Sequence, residues 1–333
     1  MEVKFLKAGT GDSILIHHKS HNILIDGGND SSYMLKQVEE IYERKEIIDL
    51  LIITHHDDDH IKGIIDLLKL IKQGKFGEGN KFIKKVFFNS PRLILKKISS
   101  KKERSQLSYK QAYEVEELFQ KLGIKWELCT DETETEVYGN LKMHFLSPTK
   151  EIIQEYSEHK DVYLTSDYRC DWEVSMVTLE RALDKSKSQD RSLPNQTSIV
   201  VLLECDNKKV LLTGDVTPNR FESLITELVS ENNDNPVYFD YVKLPHHGSY
   251  KSLNSRIMSN IDCANYIFST NGSKYYHPNK RAILQVLKSP NKKQKNFFFN
   301  YEEAMSNLII TDKEKRDYNF KLISNNQDYG FSI

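Results

Sequence analysis

Short apolar runs separated by turn residues dominate the beginning of the chain. Runs at positions 3–6, 13–16 and 22–25 predict three strands. Apolar residues at helical spacing follow within 32–44, and the almost wholly apolar run 48–53 is typical of a strand in a sheet that is covered on both faces. The pattern therefore predicts an α/β fold that alternates strands and helices.

The same pattern resumes in the second half of the chain. Between the halves, residues 151–194 have weak periodicity and predict an insertion that acts as a lid or as a partner surface. We predict one domain over residues 1–288, and an extension over 289–333 that packs on it. The predicted strands are 198–204, 209–213, 238–244, 264–269, 308–311, 319–323 and 330–333, and the predicted helices are 218–229 and 280–287.

Composition and charge narrow the class of protein. The 333 residues are 38% hydrophobic and 29% charged, which is typical of a globular chain and not of a disordered one. The net charge of −1 excludes a global field that would attract nucleic acid or an anionic membrane. Short apolar runs and the lack of a signal-peptide pattern predict a cytoplasmic protein without a membrane partner. Four scattered cysteines predict reduced thiols.

Charge is uneven in the middle of the chain. Residues 81–110 hold ten Lys or Arg and one Glu, whereas residues 111–159 hold eleven Asp or Glu and four Lys. Two solvated faces would produce this asymmetry. The alternative is a local contact between the basic segment and a polyanion such as single-stranded nucleic acid.

The strongest chemical signal is a run of imidazoles and carboxylates directly after the predicted strand 48–53. Close carboxylates repel one another and burial penalises each charge, so such a run beside an apolar core needs a positive ion. The mixture of nitrogen and oxygen ligands indicates a site for Zn²⁺, Mn²⁺ or Fe²⁺ and not a thiolate site. Asp215 and the pair His246 and His247 also follow predicted strands, which places all three groups at one rim of the sheets. The run is Thr54-His55-His56-Asp57-Asp58-Asp59-His60.

Five motifs in the same order resemble the metallo-β-lactamase superfamily, and within it the branch typified by the hydrolase domain of the DNA-uptake protein ComEC. A sixth, weaker match is YHP at 276–278, and the resemblance spans about residues 1–288. It implies an αββα sandwich with two divalent metal ions, Zn or Mn, on its upper edge. The five motifs are GTGDS at 9–13, ILIDGG at 23–28, THHDDDH at 54–60, LLTGD at 211–215 and KLPHHGS at 243–249.

The resemblance also implies a role for each residue of the site. Asp215 would bridge both ions, and Asp26 would brace the metal loop by hydrogen bonds. Asp59, His247 and His277 are the predicted catalytic residues; His247 or His277 would protonate a leaving group, or His277 would only cap its loop before Pro278. The implied ligands are His55 and Asp57 for one ion, and Asp59, His60 and either His246 or His247 for the other.

This chain departs from the family pattern at several positions. Asp57 stands where many members have a histidine, and Asn195 lies where others have a further histidine. Asn195 is therefore expected to contact substrate or water and, like Asp26, to lie behind the metal ligands and support them. Fewer nitrogen ligands on the first ion favour Mn²⁺ over Zn²⁺. Lys62 stands where a glycine is common and adds a cation near the site, and we predict that Lys62 and Ser249 bind substrate.

Three functions remain open from the sequence. The first is a phosphodiesterase or nuclease in which a hydroxide that bridges the two metals attacks single-stranded nucleic acid or a nucleotide. The second is a hydrolase of a small molecule such as a cyclic nucleotide, an ester or a lactone, with residues 151–194 as a lid. The third is an effector of a bacterial defence system that a protein partner activates.

Overall fold

The structure is a computed structural model that describes residues 1–95, 107–158, 170–183, 189–291 and 293–333. Within these ranges, no helix combines the length and the apolar composition needed to cross a membrane. The strands are β1 (Glu2–Leu6), β2 (Ile14–His18), β3 (His21–Ile25), β4 (Leu50–Ile53), β5 (Val86–Phe88), β6 (Glu136–Tyr138), β7 (Leu141–Ser147), β8 (Val200–Cys205), β9 (Lys208–Leu212), β10 (Val237–Tyr238), β11 (Tyr241–Lys243), β12 (Ile261–Asp262), β13 (Asn265–Phe268), β14 (Lys295–Phe299), β15 (Phe320–Ile323) and β16 (Gly330–Ser332).

Helices connect many of these strands, and short 3₁₀ turns cover His246–Gly248 and Tyr250–Ser252. The helices are α1 (Ser32–Glu43), α2 (Asp58–Lys72), α3 (Gly79–Phe82), α4 (Pro91–Leu95), α5 (Leu107–Leu122), α6 (Lys150–Glu158), α7 (Met176–Ala182), α8 (Leu193–Gln196), α9 (Pro218–Glu231), α10 (Ser255–Ser259), α11 (Lys280–Val286), α12 (Glu302–Asn307) and α13 (Asp312–Asp317).

The described strands form two large sheets and one small one. The first sheet has the order β16-β1-β2-β3-β4-β5, and the second has the order β15-β14-β13-β11-β9-β8-β7-β6. The pair β10 and β12 forms the small parallel sheet. In the first sheet β3, β4 and β5 run parallel, as do β9, β11, β13, β14 and β15 in the second.

Three apolar layers hold the sandwich together. One layer lies between the two sheets, a second lies between the first sheet and α1, α2 and α5, and a third lies between the second sheet and α7, α9, α10 and α11. In β4, Ile52 belongs to the layer between the sheets, whereas Leu51 and Ile53 belong to the layer under the helices. Burial on both faces explains why this strand is apolar throughout, and the predicted αββα class is confirmed.

Two strand predictions need correction. Residues 308–311 are not a strand: they connect α12 to α13, Ile309 is 57% exposed, and Thr311 begins α13 with a capping box to Glu314. The predicted strand 238–244 is divided into β10 and β11, because β10 pairs with β12 whereas β11 pairs with β9 and β13.

The predicted extension supplies strands to both sheets. β14 and β15 continue the second sheet beyond β13, and β16 lies beside β1 in the first sheet. The predicted insertion contributes α7, which packs against the second sheet through Met176 and Leu179. Residues 159–169 and 184–188 of the insertion lie outside the described residues, and the boundary at 288 stays a prediction.

Candidate metal centre

The loops that follow β3, β4, β9 and β11 meet at one edge of the sandwich. Backbone hydrogen bonds join them: Asp26 N donates to Ile52 O at 2.9 Å, Ile199 N donates to Thr54 O at 3.1 Å, and His246 N donates to Gly214 O at 3.1 Å. Because parallel strands present their carboxyl ends at the same edge of a sheet, chain segments far apart in sequence meet here.

The backbone around this edge is unusually close and strained. A Cβ on Gly11 would lie 1.6 Å from Asp59 O, so only glycine lets the first loop approach the start of α2. Asp26, His246 and His247 have φ of 57°, 48° and 54°, in the left-handed region that L residues rarely adopt. Such strain persists only where the surrounding structure enforces it, and it is common at functional sites.

His60 and His247 point the same ring nitrogen at one another. His60 Nδ1 bonds to Asp26 Oδ2 at 2.8 Å, and His247 Nδ1 bonds to the carbonyl oxygen of Ser269 at 2.9 Å. Each acceptor needs a proton on Nδ1, so in the neutral imidazoles each Nε2 carries a lone pair. The two Nε2 atoms are only 3.3 Å apart, a distance at which they would share either a proton or a metal cation.

His55 and His246 are held in the same tautomer. His55 Nδ1 lies 3.1 Å from Thr54 Oγ1, whose own proton goes to Asp26 Oδ2 at 2.6 Å, so His55 donates from Nδ1. His246 Nδ1 bonds to Asp190 Oδ2 at 2.9 Å. The buried Nε2 of His55 has no hydrogen-bond partner among the described residues. All four imidazoles therefore offer Nε2 as a metal ligand.

Carboxylates lie between these nitrogens, and Asp215 is shared. Asp215 Oδ1 is 3.4 Å from His60 Nε2, and its Oδ2 is 3.4 Å from His247 Nε2 and 3.8 Å from His246 Nε2. Asp59 Oδ2 lies 3.6 Å from His247 Nε2, and Asp57 Oδ2 lies 3.7 Å from His55 Nε2. This set of imidazole nitrogens and carboxylate oxygens fits divalent metal binding.

The pKa shifts mark an excess of negative charge at this edge. Burial and the neighbouring carboxylate of Asp59 raise the pKa of Asp57 to about 7. Burial alone would lower the pKa of His246, but Asp215 and Asp190 raise it to about 9. Burial likewise opposes protonation of His60, yet Asp215 and Asp26 hold its pKa well above the usual range. A bound cation would compensate the same charge.

Sequence reasoning missed a buried ion pair behind the centre. Lys243 Nζ forms an ion pair with Asp12, donates to Gly214 O at 3.1 Å and lies 3.9 Å from Asp215 Oδ1. Asp12 Oδ1 is 3.4 Å from His247 Nδ1, on the side of the ring away from the cluster. Ligand atoms of Asp12, His60, Asp215 and His247 all lie within 4.8 Å of one another. Lys243 lies in the motif at 243–249 and Asp12 in the motif at 9–13, and these positions were the sequence signal that could have identified the ion pair.

Asp190 was also missed, and Asn195 contacts it. Asn195 Nδ2 donates to Asp190 Oδ2 at 2.7 Å, and it lies 3.3 Å from His246 Nδ1. Asn195 therefore supports the carboxylate that orients His246. No sequence signal marked Asp190, which lies at the end of a polar run.

The remaining predicted residues fall in three different places. His277 is buried, and its ring centroid lies 5.2 Å from that of His246. The Lys62 ammonium is exposed on α2 and donates to Asn29 O at 3.2 Å, and Ser249 is buried and caps the turn Tyr250–Ser252. The substrate roles of Lys62 and Ser249 stay predictions.

The described part of the basic segment is largely neutralised. Lys85 pairs with Glu136 at 2.6 Å, and Arg92 Nε pairs with Glu116 at 2.9 Å. These ion pairs join the basic stretch to the acidic stretch that follows it. They favour a structural explanation of the charge asymmetry over a contact with a polyanion. Residues 96–106 of the segment lie outside the described residues.

One family model matches part of the chain, and several solved structures are similar to it. The model of the metallo-beta-lactamase superfamily matches residues 6–82, and no curated protein matches the chain. Zn²⁺-bound PqqB from Methylobacterium extorquens is 9% identical with a TM-score of 0.44, covering 100% of this chain and 99% of that chain. A diphosphatase of the PhnP family is 11% identical with a TM-score of 0.40, covering 100% and 96%. Metallo-beta-lactamase SMB-1 is 12% identical with a TM-score of 0.36, covering 85% and 88%.

These identities and TM-scores are too low to assign an activity or a substrate to this chain. The matched residues 6–82 run from the end of β1 to the end of β4 and on through α2, and they include Asp12, Asp26 and the cluster 54–60. Over this stretch the chain resembles the metallo-beta-lactamase superfamily.

Proposed function

We propose that the chain is a metal-dependent hydrolase that cleaves phosphodiester bonds at a centre for two divalent ions. The observation that carries this proposal is the convergence of the Nε2 atoms of His60 and His247 at 3.3 Å, each with its Nδ1 already bonded to an acceptor. Asp215 contacts both imidazoles through different oxygens, Oδ1 at 3.4 Å from His60 Nε2 and Oδ2 at 3.4 Å from His247 Nε2, as a carboxylate at a metal centre would.

We assign both members of the histidine pair as ligands. His247 would serve the ion held by Asp59 and His60, and His246 would serve the ion held by His55 and Asp57, with Asp215 between them. Each ion then has two imidazole nitrogens, which weakens the sequence argument for Mn²⁺ over Zn²⁺.

Two divalent ions in this position would lower the pKa of bound water toward about 7 and would neutralise charge on a phosphodiester oxygen. The residues of the chain orient and support this chemistry. Asp26, Ser269 and Asp190 hold three imidazoles in the tautomer that presents Nε2. Because the Nε2 lone pair of His247 faces the cluster, His277 is the better candidate to protonate a leaving oxygen.

The test is cleavage of 5′-labelled single-stranded DNA and of bis(p-nitrophenyl) phosphate by purified protein in Mn²⁺, Zn²⁺ or chelator. Asp59→Asn removes a proposed ligand. Asp58→Asn is its matched control, because the Asp58 carboxylate accepts a hydrogen bond from Gln111 Nε2 at 2.6 Å. We expect about two ions per chain by mass spectrometry of bound metal, and metal-dependent cleavage that Asp59→Asn abolishes and Asp58→Asn retains.

The alternative is a hydrolase of small molecules. The neutralised cations Lys85 and Arg92 favour it, because they are unavailable to a long polyanion. Turnover of p-nitrophenyl esters without cleavage of either phosphodiester would establish this alternative. Inactivity of the metal-loaded protein on both kinds of substrate, restored by a co-purifying protein, would support a partner-activated effector.

A further inference from the structure

The loop that connects β13 to α11 is fixed against the metal-binding loops. Asn271 N donates to Gly9 O at 2.9 Å, and Asn279 N donates to Gly248 O at 3.1 Å. Asn279 Nδ2 also donates to Tyr276 O at 3.0 Å, which secures the middle of the loop. The loop is therefore a fixed wall beside His246 and not a free connection.

A row of side chains leads outward from the candidate metal centre along this loop. The ring centroid of His277 lies 5.2 Å from that of His246, and the Tyr275 centroid lies 6.2 Å from that of His277. Lys274 Nζ stands 4.7 Å from the Tyr275 centroid. Desolvation alone would lower the pKa of Lys274, but Tyr275 and the Asp59 carboxylate raise it, so the ammonium lies within electrostatic reach of the centre.

Tyr276 presents an exposed aromatic ring in the middle of the same loop. Tyr275 and Tyr276 have φ of 58° and 55°, two consecutive bulky residues in the left-handed region. Tyr276 is 39% exposed, although its centroid lies 5.5 Å from that of Trp172 at an interplanar angle of 81°. Trp172 Nε1 donates to Pro278 O at 2.9 Å, which holds the pair in place. Enforced strain that keeps a tyrosine at the surface indicates a use for the ring.

We propose that Lys274 and Tyr276 form a subsite for the nucleotide next to the scissile phosphodiester of single-stranded nucleic acid. Tyr276, supported by Trp172, would stack on the unpaired base, and Lys274 would pair with the adjoining phosphate. Bases of a single strand are free to stack on aromatic rings, and lysines neutralise phosphates along its backbone. The inference rests on the proposed phosphodiesterase function and names its substrate class.

The experiment measures binding separately from cleavage. Fluorescence anisotropy reports the affinity of the Mn²⁺-loaded protein for a fluorescein-labelled, nuclease-resistant phosphorothioate hexanucleotide, with an abasic hexamer of equal charge as comparison. The variants are Tyr276→Ala and Lys274→Ala. Exposed residues at the opposite end of the strands supply the matched controls Tyr238→Ala and Lys208→Ala.

We expect Tyr276→Ala to weaken binding of the base-bearing strand roughly 5- to 150-fold and to leave the abasic strand unchanged. Lys274→Ala should weaken binding of both strands and reduce the slope of log Kd against log salt by about 0.7. An equal loss for both strands in Tyr276→Ala, or an unchanged salt slope in Lys274→Ala, would overturn the subsite. Cleavage of a small phosphodiester without strand binding would overturn the subsite alone, whereas the expected binding without any cleavage would overturn only the proposed reaction.

Discussion

Replacing Asp26 by asparagine tests whether the imidazole tautomer of His60 governs metal binding. The carboxylate is fully buried and accepts three hydrogen bonds, from Thr54 N at 2.8 Å, Thr54 Oγ1 at 2.6 Å and His60 Nδ1 at 2.8 Å. Asparagine has nearly the same shape, but its Nδ2 would face donors that Oδ2 now accepts from.

The expected cost follows from these contacts. If the asparagine oxygen keeps the bond from Thr54 N, two charge-assisted bonds are lost, and the Thr54 hydroxyl can rotate to recover part of one. We expect the free energy of unfolding to fall by about 2–4 kcal/mol, since such bonds contribute about 1.5–3 kcal/mol each. Metal affinity should fall roughly 10- to 100-fold, because His60 loses the partner that presents its Nε2.

Urea unfolding measures the stability, and calorimetric titration of metal-stripped protein with Mn²⁺ measures the affinity. Asp49→Asn is the matched control: Asp49 is also buried and accepts from Asn22 N at 3.1 Å, at the other end of β3. The control should lose stability but keep its Kd for metal. If Asp26→Asn also keeps its Kd within twofold, the argument from the tautomer of His60 is refuted.

Three further predictions concern residues around the centre. Burial lowers the pKa of His56 to about 4, whereas histidine in the unfolded chain has the ordinary pKa of 6.5, so the unfolded chain takes up the proton first and stability is lost as pH falls from 6.5 through 4. The difference in unfolding free energy between wild type and His56→Gln should change by about 3 kcal/mol over that range. A constant difference would refute this prediction. Lys243→Met should cost about 3–5 kcal/mol in urea unfolding by stranding the Asp12 carboxylate, and the double variant with Asp12→Asn should recover most of it; a double variant as unstable as Lys243→Met contradicts this coupling. Gly11→Ala should displace Asp59 and weaken Mn²⁺ binding in calorimetry, and an unchanged affinity would show that the contact between the loops is not needed.

Much of the architecture was predictable because the spacing of apolar residues along the chain determines strands and helices locally. The apolar run that became β4 and the helical spacing of α1 depend on neighbours in the chain. The strand predicted at 308–311 failed because four apolar or β-branched residues are too short a pattern to exclude a connection between helices. Thr311 satisfies the helix-capping pattern with Glu314 equally well.

The candidate site was predictable only as a set of residue types. The run at 54–60 signals a cation because its charge has no local compensation, and Asp215 and the histidine pair follow strands that end at the same edge. Asp190 could not be predicted, because its role depends on a contact with His246, 56 positions away. The substrate role of Lys62 stays a prediction; its ammonium donates to Asn29 O.

The sequence by itself determined the α/β class, the position of the candidate metal ligands at strand ends, and the clustering of acidic residues and histidines that a cation would neutralise. Only the tertiary structure decided which nitrogen each histidine offers. His246 and His247 are adjacent in sequence, yet their left-handed backbone sends one ring to Asp190 and the other to Ser269 O. The physical reason is that an imidazole presents Nε2 only when a partner accepts the proton on Nδ1, and these partners come from distant segments.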